Sequence, residues 1–307
     1  MNIVLVKPRG FCAGVVRAIN IIKRVLSIYK LPIYMNHELV HNNYIVNFLK
    51  KNGVVITKNI NNIPEGSVLV ISAHGVSKNM INDAYKRNLT VFDATCPLVK
   101  KIHYQASYAN KNNIDTIIIG NPKHQEVLGT IGQYNNATPY IVESLHDANY
   151  IQVKNSNKLC FLTQTTLSIF NTYKIINVLK NRFPNIIELG KNNICYATDN
   201  RQQAVYKLAR ITDLVIIFGS NISSNANKLL EIARKHSKAY MIDNFLYFKK
   251  QWLNNVSTIG ITSSASTPEL LIRQFIKYIK QYGNITIKEV TVSKETLSFK
   301  LPKILKI

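Results

Sequence analysis

The sequence has few cysteines, and they are far apart. There are 4 among 307 residues, and no two form a Cys-x-x-Cys pair. This pattern excludes a disulfide framework, a zinc ribbon and a thioredoxin-like redox pair. Any chemistry that the cysteines share must therefore join distant parts of the chain.

Long apolar runs are also absent. No stretch approaches the roughly 20 apolar residues of a membrane span, and residues 1–10 have the pattern of a strand rather than that of a charged leader followed by an apolar segment. We therefore expect a cytoplasmic protein without a membrane partner.

Acidic residues are scarce: 16 Asp and Glu stand against 39 Lys and Arg, which gives a net charge of +23. Such an excess is typical of proteins that bind nucleic acid. However, no basic run is longer than two residues, and only 9 of the 39 cations are Arg, the residue that grips phosphate bidentately. We favour a solvated surface and no nucleic-acid partner. A basic nucleic-acid-binding α/β protein stays as an alternative, and it would bind RNA less tightly as salt rises.

What the chain does contain is apolar strand patterns alternating with helical ones. Its 307 residues, 46% hydrophobic, exceed the usual size of one core. Continuous apolar strands between helices indicate parallel sheets that are covered on both faces, so the fold class is α/β. Strands are expected at 3–6, 67–72, 90–92, 116–119, 159–162, 213–218, 239–242 and 258–262. Helices are expected at 13–29, 43–51, 98–110, 125–133, 167–182, 201–210, 225–235 and 268–282, and a hairpin at 288–301.

Three of the cysteines mark a quasi-repeat. Cys12, Cys96 and Cys195 each lie near a strand pattern and open a helix, at separations of about one small α/β unit. Three such units would bring the thiols together around a pseudo-threefold axis. We expect units at 1–96, 97–194 and 195–283, with a C-terminal extension at 284–307. The fourth cysteine, Cys160, sits inside an apolar run and is expected to be a buried structural thiol.

Thiols at helix starts are suited to metal binding, because a helix N-terminus stabilises the thiolate. Three thiolates can hold zinc with a water, or an iron–sulfur cluster in which one iron lacks a protein ligand. Each cysteine taken alone is also compatible with simple packing. The pattern does not separate these alternatives, so a zinc hydrolase that uses the same three cysteines stays open.

Polar clusters follow several strands. In open α/β sheets, ligands bind beyond the carboxyl ends of the strands. His74 and His124 stand in two of these loops, and Glu126 is the only carboxylate among them, so proton transfer would fall to it. By contrast, His103, His146 and His236 have a helical or surface context and are expected to be solvated.

Several motifs, in order and at compatible spacing, resemble the LytB (IspH) family of 4-hydroxy-3-methylbut-2-enyl diphosphate reductases from about residue 3 to residue 280. They are Arg-Gly-Phe-Cys-Ala-Gly (9–14), Arg-Ala-Ile (17–19), Val-His-Asn (40–42), Ser-Ala-His-Gly-Val (72–76), Phe-Asp-Ala-Thr-Cys-Pro (92–97), Thr-Gln-Thr-Thr-Leu-Ser (163–168), Cys-Tyr-Ala-Thr (195–198), Asn-Arg-Gln (200–202) and Ser-Ser-Asn (223–225).

This resemblance implies the last step of the non-mevalonate isoprenoid pathway, the reductive dehydroxylation of an allylic diphosphate to isopentenyl and dimethylallyl diphosphates. It implies a trefoil of three α/β units around a central [4Fe–4S] cluster, whose open iron binds the substrate hydroxyl. For such a reduction, the excess of positive charge favours an acidic electron donor of the ferredoxin or flavodoxin type. Hydroxide is a poor leaving group, so a proton source is needed for it to leave as water.

Carried over by position, the resemblance assigns roles to individual residues. Cys12, Cys96 and Cys195 look like the three ligands of one cluster per chain. Glu126 looks like the proton source, with Thr165 beside the substrate hydroxyl. The expected diphosphate clamp consists of His41, His74, His124, Ser223, Ser224, Asn225 and Ser266. Ser264 departs from the pattern, because glycine is common there, and it is expected to stiffen the loop that carries Ser266.

Overall fold

The computed structural model describes residues 1–135, 137–190 and 193–305. Its strands are β1 (Asn2–Lys7), β2 (Ile33–Met35), β3 (Val54–Ile56), β4 (Val68–Ile71), β5 (Thr90–Asp93), β6 (Asp115–Ile119), β7 (Tyr140–Val142), β8 (Leu159–Thr163), β9 (Ile187–Glu188), β10 (Leu214–Phe218), β11 (Lys238–Ile242), β12 (Thr258–Ser263) and β13 (Thr286–Thr291).

The α-helices are α1 (Ala13–Ile28), α2 (Asn43–Lys51), α3 (Lys78–Lys86), α4 (Pro97–Lys111), α5 (Gln125–Ile131), α6 (Leu145–Tyr150), α7 (Ile169–Arg182), α8 (Tyr196–Ala209), α9 (Ser224–Arg234) and α10 (Glu269–Ile279). Short 3₁₀ segments lie at Ile60–Asn62, Phe245–Tyr247, Lys250–Leu253, Lys280–Tyr282 and Lys303–Leu305.

The chain divides into two compact units. Unit 1 consists of Met1–Val16, Val40–Phe48 and Tyr196–Ser298, and unit 2 of Arg17–Leu39, Leu49–Cys195 and Phe299–Ile307.

Unit 1 contains a parallel sheet with the strand order β11-β10-β12-β1-β13. Side chains of a strand point alternately to its two faces. In β10, Leu214, Ile216 and Phe218 pack on the face covered by α10, while Val215 and Ile217 pack on the face covered by α8 and α9. The continuous apolar run of this strand therefore reflects burial on both faces, which confirms the α/β class.

A buried arginine holds the first loop of unit 1. Arg201 is 1% exposed, and its guanidinium donates to both carboxylate oxygens of Glu295, at 2.8 and 3.2 Å. It also donates to the carbonyl of Gly10 at 2.9 Å. Gly10 has a φ of +74°, which favours glycine. The ion pair thus fixes the backbone just before Cys12.

Unit 2 contains two parallel sheets, with the strand orders β3-β2-β4-β5 and β7-β6-β8-β9. In the first, Leu69 and Ile71 of β4 pack with Ala84 of α3. In the second, Phe161 of β8 packs with residues of α7 on one face, and Leu162 packs with residues of α4 on the other. Both sheets are therefore covered by helices.

The described residues confirm the eight predicted strands and eight predicted helices, with ends shifted by a few residues. The predicted hairpin at 288–301 is wrong. β13 instead runs parallel to β1, from Asn2↔Thr286 to Lys7↔Thr291, and its alternating pattern is that of a mostly exposed edge strand. β1 also pairs with β12, which places it in the same sheet as strands of the predicted third unit. The predicted unit boundaries stay a prediction. No helix among the described residues is both long and apolar enough to cross a membrane.

Replacing Glu295 with Ala should destabilise unit 1, because it leaves the Arg201 guanidinium buried without its carboxylate. We expect the free energy of unfolding to fall by about 3 kcal/mol in urea denaturation. The matched variant Glu231→Ala breaks the exposed pair with Lys228 and should cost less than about 1 kcal/mol. Equal losses in the two variants would show that the buried pair has no special role.

Candidate active site

One backbone contact occurs at all three of the predicted ligand cysteines. Cys12, Cys96 and Cys195 each immediately precede a helix, namely α1, α4 and α8. Their N–H groups donate to carbonyls of Ala265 (3.2 Å), Ala73 (3.0 Å) and Thr165 (3.0 Å). Each accepting residue lies two positions beyond the end of a parallel strand, β12, β4 or β8. The quasi-repeat inferred from the sequence therefore has an equivalent in each of the three sheets.

The environment of the fourth cysteine differs. Cys12, Cys96 and Cys195 are half-buried, whereas Cys160 is fully buried within β8. Burial raises the pKa of the Cys160 thiol to about 11, which disfavours the thiolate that a metal requires. Its sulfur lies 3.3 Å from the Thr116 hydroxyl. Cys160 is thus a structural thiol, as expected.

A buried carboxyl group lies in unit 2. Glu126 is 3% exposed and sits in the first turn of α5. Its Oε1 accepts from the N–H of Thr165 at 2.6 Å, and its Oε2 accepts from the Thr165 hydroxyl at 2.9 Å. The structure therefore brings the two predicted catalytic residues into direct contact.

Burial controls the protonation of Glu126. It raises the pKa of this carboxyl to about 7, although the two hydrogen bonds from Thr165 act in the opposite direction. A carboxyl with this pKa holds a proton near neutral pH and can still release it. Once protonated, Glu126 can donate to the Thr165 hydroxyl, which then turns its own hydrogen to another acceptor.

Thr165 connects this acid to a cysteine. Its carbonyl accepts from the N–H of Cys195, while its own N–H and hydroxyl bind Glu126. A buried carboxyl group and a candidate metal ligand are consequently held by one residue.

Two of the predicted clamp histidines also lie together in unit 2. The rings of His74 and His124 are 5.8 Å apart in an edge-to-face arrangement. His124 Nδ1 accepts from the N–H of Glu126 at 3.2 Å, so the proton of the neutral ring belongs on Nε2. The Nε2 edge is then a donor suited to an anion.

The prediction that His103 is solvated is wrong, whereas His146 and His236 are exposed as expected. His103 projects from α4 against Gly75 and Gly129. Burial lowers the pKa of its imidazole to about 4, so the ring is neutral at physiological pH. A Cβ on Gly75 would lie 2.6 Å from His103 Cε1, and Gly75 also has a φ of +76°. Glycine there lets the loop of His74 pack against α4.

In unit 1, the start of α9 carries an unsatisfied amide. Ser223 caps the helix, with its hydroxyl oxygen accepting from the N–H of Ala226 at 3.3 Å, and Ser224 is the first helical residue. Asn225 is 5% exposed, yet its Oδ1 and Nδ2 find no hydrogen-bond partner among the described residues. Buried amides are normally hydrogen-bonded, so the Asn225 amide has hydrogen-bonding capacity that the described residues do not use.

The other two residues of unit 1 that were predicted to bind the diphosphate are in contact. The Ser266 hydroxyl donates to the carbonyl of His41 at 3.1 Å. The loop after β12 therefore holds both Ser266 and the backbone of His41, and its Ala265 carbonyl accepts from Cys12.

The described residues contain no group of three or more His, Cys, Asp and Glu that could hold a single metal ion. A four-iron cluster presents a separate iron to each thiolate, so its ligands do not converge on one ion.

Comparisons with known proteins identify the family of this chain. The family model described as LytB protein matches residues 3–280. The chain is 50% identical over 306 residues to a 4-hydroxy-3-methylbut-2-enyl diphosphate reductase of Buchnera aphidicola, covering 99% of this chain and 96% of that protein. It is 48% identical over 308 residues to the reductase of the same name from Wigglesworthia glossinidia brevipalpis, covering 99% and 98%.

A solved structure of the E-1-hydroxy-2-methyl-but-2-enyl-4-diphosphate reductase from Plasmodium falciparum is similar throughout. It has a TM-score of 0.94 and 38% identity, covering 99% of this chain and 96% of that one.

The chain belongs to the LytB family. Its curated relatives carry the name of a reductase, and the family's three-sheet α/β fold is the one described above.

Sequence reasoning missed a LytB residue that connects two of the loops. Gln164 is 2% exposed. Its Oε1 accepts from the N–H of Asn121 at 3.1 Å, and its Nε2 donates to the Thr166 hydroxyl at 2.9 Å. It joins the loop after β6 to the loop after β8. Its place inside a motif shared with the family could have drawn attention to this residue. Its hydrogen-bond partner Asn121, 43 residues away, could not be predicted from the sequence.

The buried carboxyl group of Glu126 should make the free energy of unfolding depend on pH. Its pKa is about 7 in the folded protein against 4.5 for an ordinary Glu, so the folded state binds the proton more tightly between these values. Compared with Glu126→Gln, wild type should lose about 3 kcal/mol of unfolding free energy as pH rises through this window. The amide preserves both contacts with Thr165 but does not titrate. Urea denaturation at a series of pH values measures the difference.

The matched variant for this series is Glu65→Gln, at an exposed carboxylate, and it is expected to follow the wild-type curve. A constant difference between wild type and Glu126→Gln from pH 4.5 to pH 7 would contradict the raised pKa.

Proposed function

We propose that this chain reduces 4-hydroxy-3-methylbut-2-enyl diphosphate to isopentenyl and dimethylallyl diphosphates, the last step of the non-mevalonate isoprenoid pathway. Membership of the LytB family and the names of its relatives support this reaction. The observation that carries the proposal is the contact of Glu126 and Cys195 with one residue, Thr165.

A [4Fe–4S] cluster is the cofactor that suits the three half-buried thiols. Cys12, Cys96 and Cys195 would hold it, one cluster per chain, within a trefoil of three α/β units. All three stand immediately before a helix, namely α1, α4 and α8. When bound, the cluster supplies electrons one at a time and an iron that lacks a protein ligand as a Lewis acid.

The reaction consumes two electrons and two protons. The allylic carbon–oxygen bond breaks, the hydroxyl takes one proton and leaves as water, and carbon takes the other proton. Protonation at either end of the allyl group gives the two products. Glu126 would supply a proton because its pKa of about 7 keeps it protonated near neutrality. Thr165, in hydrogen-bond contact with that carboxyl, would orient the substrate hydroxyl and pass the proton.

The diphosphate would be held by donors at the ends of strands and the starts of helices. His74 and His124 in unit 2 present ring N–H groups, and hydrogen bonds to a charged oxygen are strong. In unit 1 the helix start at Ser223, Ser224 and Asn225 offers hydroxyls and the unsatisfied amide. His41 and Ser266 complete the proposed clamp.

The electrons would come from an acidic carrier of the ferredoxin or flavodoxin type. The net charge of +23 would attract such a partner and steer its approach. Location in the cytoplasm stays a prediction.

Removing a ligand cysteine should abolish both iron binding and turnover. After anaerobic reconstitution, wild type should be brown, bind about four irons per chain and convert the diphosphate substrate when supplied with a reductant. Cys96→Ser should lose the visible absorption and the activity. The matched variant Cys160→Ser, at the buried structural thiol, should retain both.

Iron content, visible spectra and product analysis measure these outcomes. Colourless wild-type protein, or full activity in Cys96→Ser, would contradict the proposal. Stoichiometric zinc without iron would favour the zinc hydrolase instead.

A further inference from the structure

Three hydroxyl groups lie together in the loop that follows β12. Ser264, Ser266 and Thr267 are 0%, 8% and 0% exposed. Ser264 Oγ is 3.2 Å from Ser266 Oγ and 3.0 Å from Thr267 Oγ1. It therefore stands between the other two hydroxyls and contacts both.

The backbone fixes the position of Ser264. Its N–H donates to the carbonyl of Phe218, the last residue of β10, at 2.9 Å. The same carbonyl accepts from the Thr267 hydroxyl at 3.0 Å. Because both bonds end on one buried strand, the Ser264 side chain is held at a defined distance from its neighbours.

The number of hydrogens limits which contacts form together. A serine or threonine hydroxyl has one hydrogen and two acceptor lone pairs. Thr267 uses its hydrogen on Phe218, and Ser266 uses its own on the carbonyl of His41. The Ser264 hydrogen is the one among these three that is not directed at a backbone carbonyl, and it can be donated to either Ser266 or Thr267.

A second donor is available to one of these acceptors. Asn42 is 1% exposed, and its Nδ2 lies 3.4 Å from Thr267 Oγ1, toward which it donates. Thr267 Oγ1 thus has a donor besides Ser264. Ser266 Oγ has no other donor among the described residues, so we assign the Ser264 hydrogen to Ser266 Oγ.

We infer that Ser264 is a positioning residue for Ser266. Its hydroxyl donates to Ser266 Oγ, which holds the rotamer of that side chain and polarises its O–H bond. The Ser266 O–H bond then rotates from the His41 carbonyl to an oxygen of the substrate diphosphate. Chains of hydrogen bonds strengthen one another in this way. The inference rests on the proposed function insofar as Ser266 binds the diphosphate. It assigns a role to a hydroxyl at a position where the sequence departs from the family pattern.

The test is a double-mutant cycle on the binding of inorganic diphosphate, measured by titration calorimetry. Ser264→Ala should weaken binding about fivefold, the effect of losing one hydrogen bond. Ser266→Ala should weaken it at least as much. The double variant should bind like Ser266→Ala, because Ser264 acts through Ser266. In the iron-loaded enzyme, Ser264→Ala should raise KM by a similar factor and leave kcat unchanged.

Ser264→Gly is the second variant, and thermal unfolding checks that each variant is folded. Glycine removes the same hydroxyl but frees the backbone, so it should also weaken diphosphate binding. If either single replacement of Ser264 binds like wild type, if Ser266→Ala binds like wild type, or if the two effects simply add, the inference is wrong. Wild-type protein that does not bind inorganic diphosphate also overturns it. The proposed reduction is judged separately, by wild-type turnover of the allylic substrate.

Discussion

The same backbone hydrogen bond, from the N–H of a cysteine to a carbonyl in the loop beyond a parallel strand, ties a helix start to each of the three sheets. The first N–H groups of a helix lack partners within the helix, and carbonyls beyond the end of a strand lack partners within the sheet. Pairing the two satisfies both groups at once. It also fixes the thiols of Cys12, Cys96 and Cys195 at the carboxyl edges of their sheets, where open α/β folds bind ligands.

The third of these hydrogen bonds, from Cys195 to Thr165, differs from the other two because its acceptor residue also binds a buried carboxyl group. Thr165 accepts from Cys195 and donates twice to Glu126, so a shift of this residue would change the position of a thiol and of an acid together. The carboxyl is buried without a cationic partner among its described contacts, and burial is the main reason for its raised pKa. The burial that excludes water from Glu126 therefore also raises its pKa into the range in which a carboxyl group can donate a proton near neutral pH.

Local pattern was sufficient for much of the fold and of the candidate site. Apolar runs such as β10 predicted buried parallel strands, and the three cysteines were correctly expected at helix starts. The sequence did not predict the elements and contacts that depend on a residue far away in the chain. The two- and three-residue strands β2, β3, β7 and β9 have no periodicity of their own. The pairing of β13 with β1, and of His103 with Gly75 and Gly129, depends on contacts that no local pattern encodes.

The central claim is that Glu126, held by Thr165, supplies a proton that allows the hydroxyl to leave as water. The most direct measurement is single-turnover product formation by iron-loaded, chemically reduced Glu126→Gln, beside its iron content. The account predicts the same iron content as wild type and almost no product, because the amide keeps both hydrogen bonds with Thr165 but has no acidic proton. Product formation at close to the wild-type rate would contradict the claim.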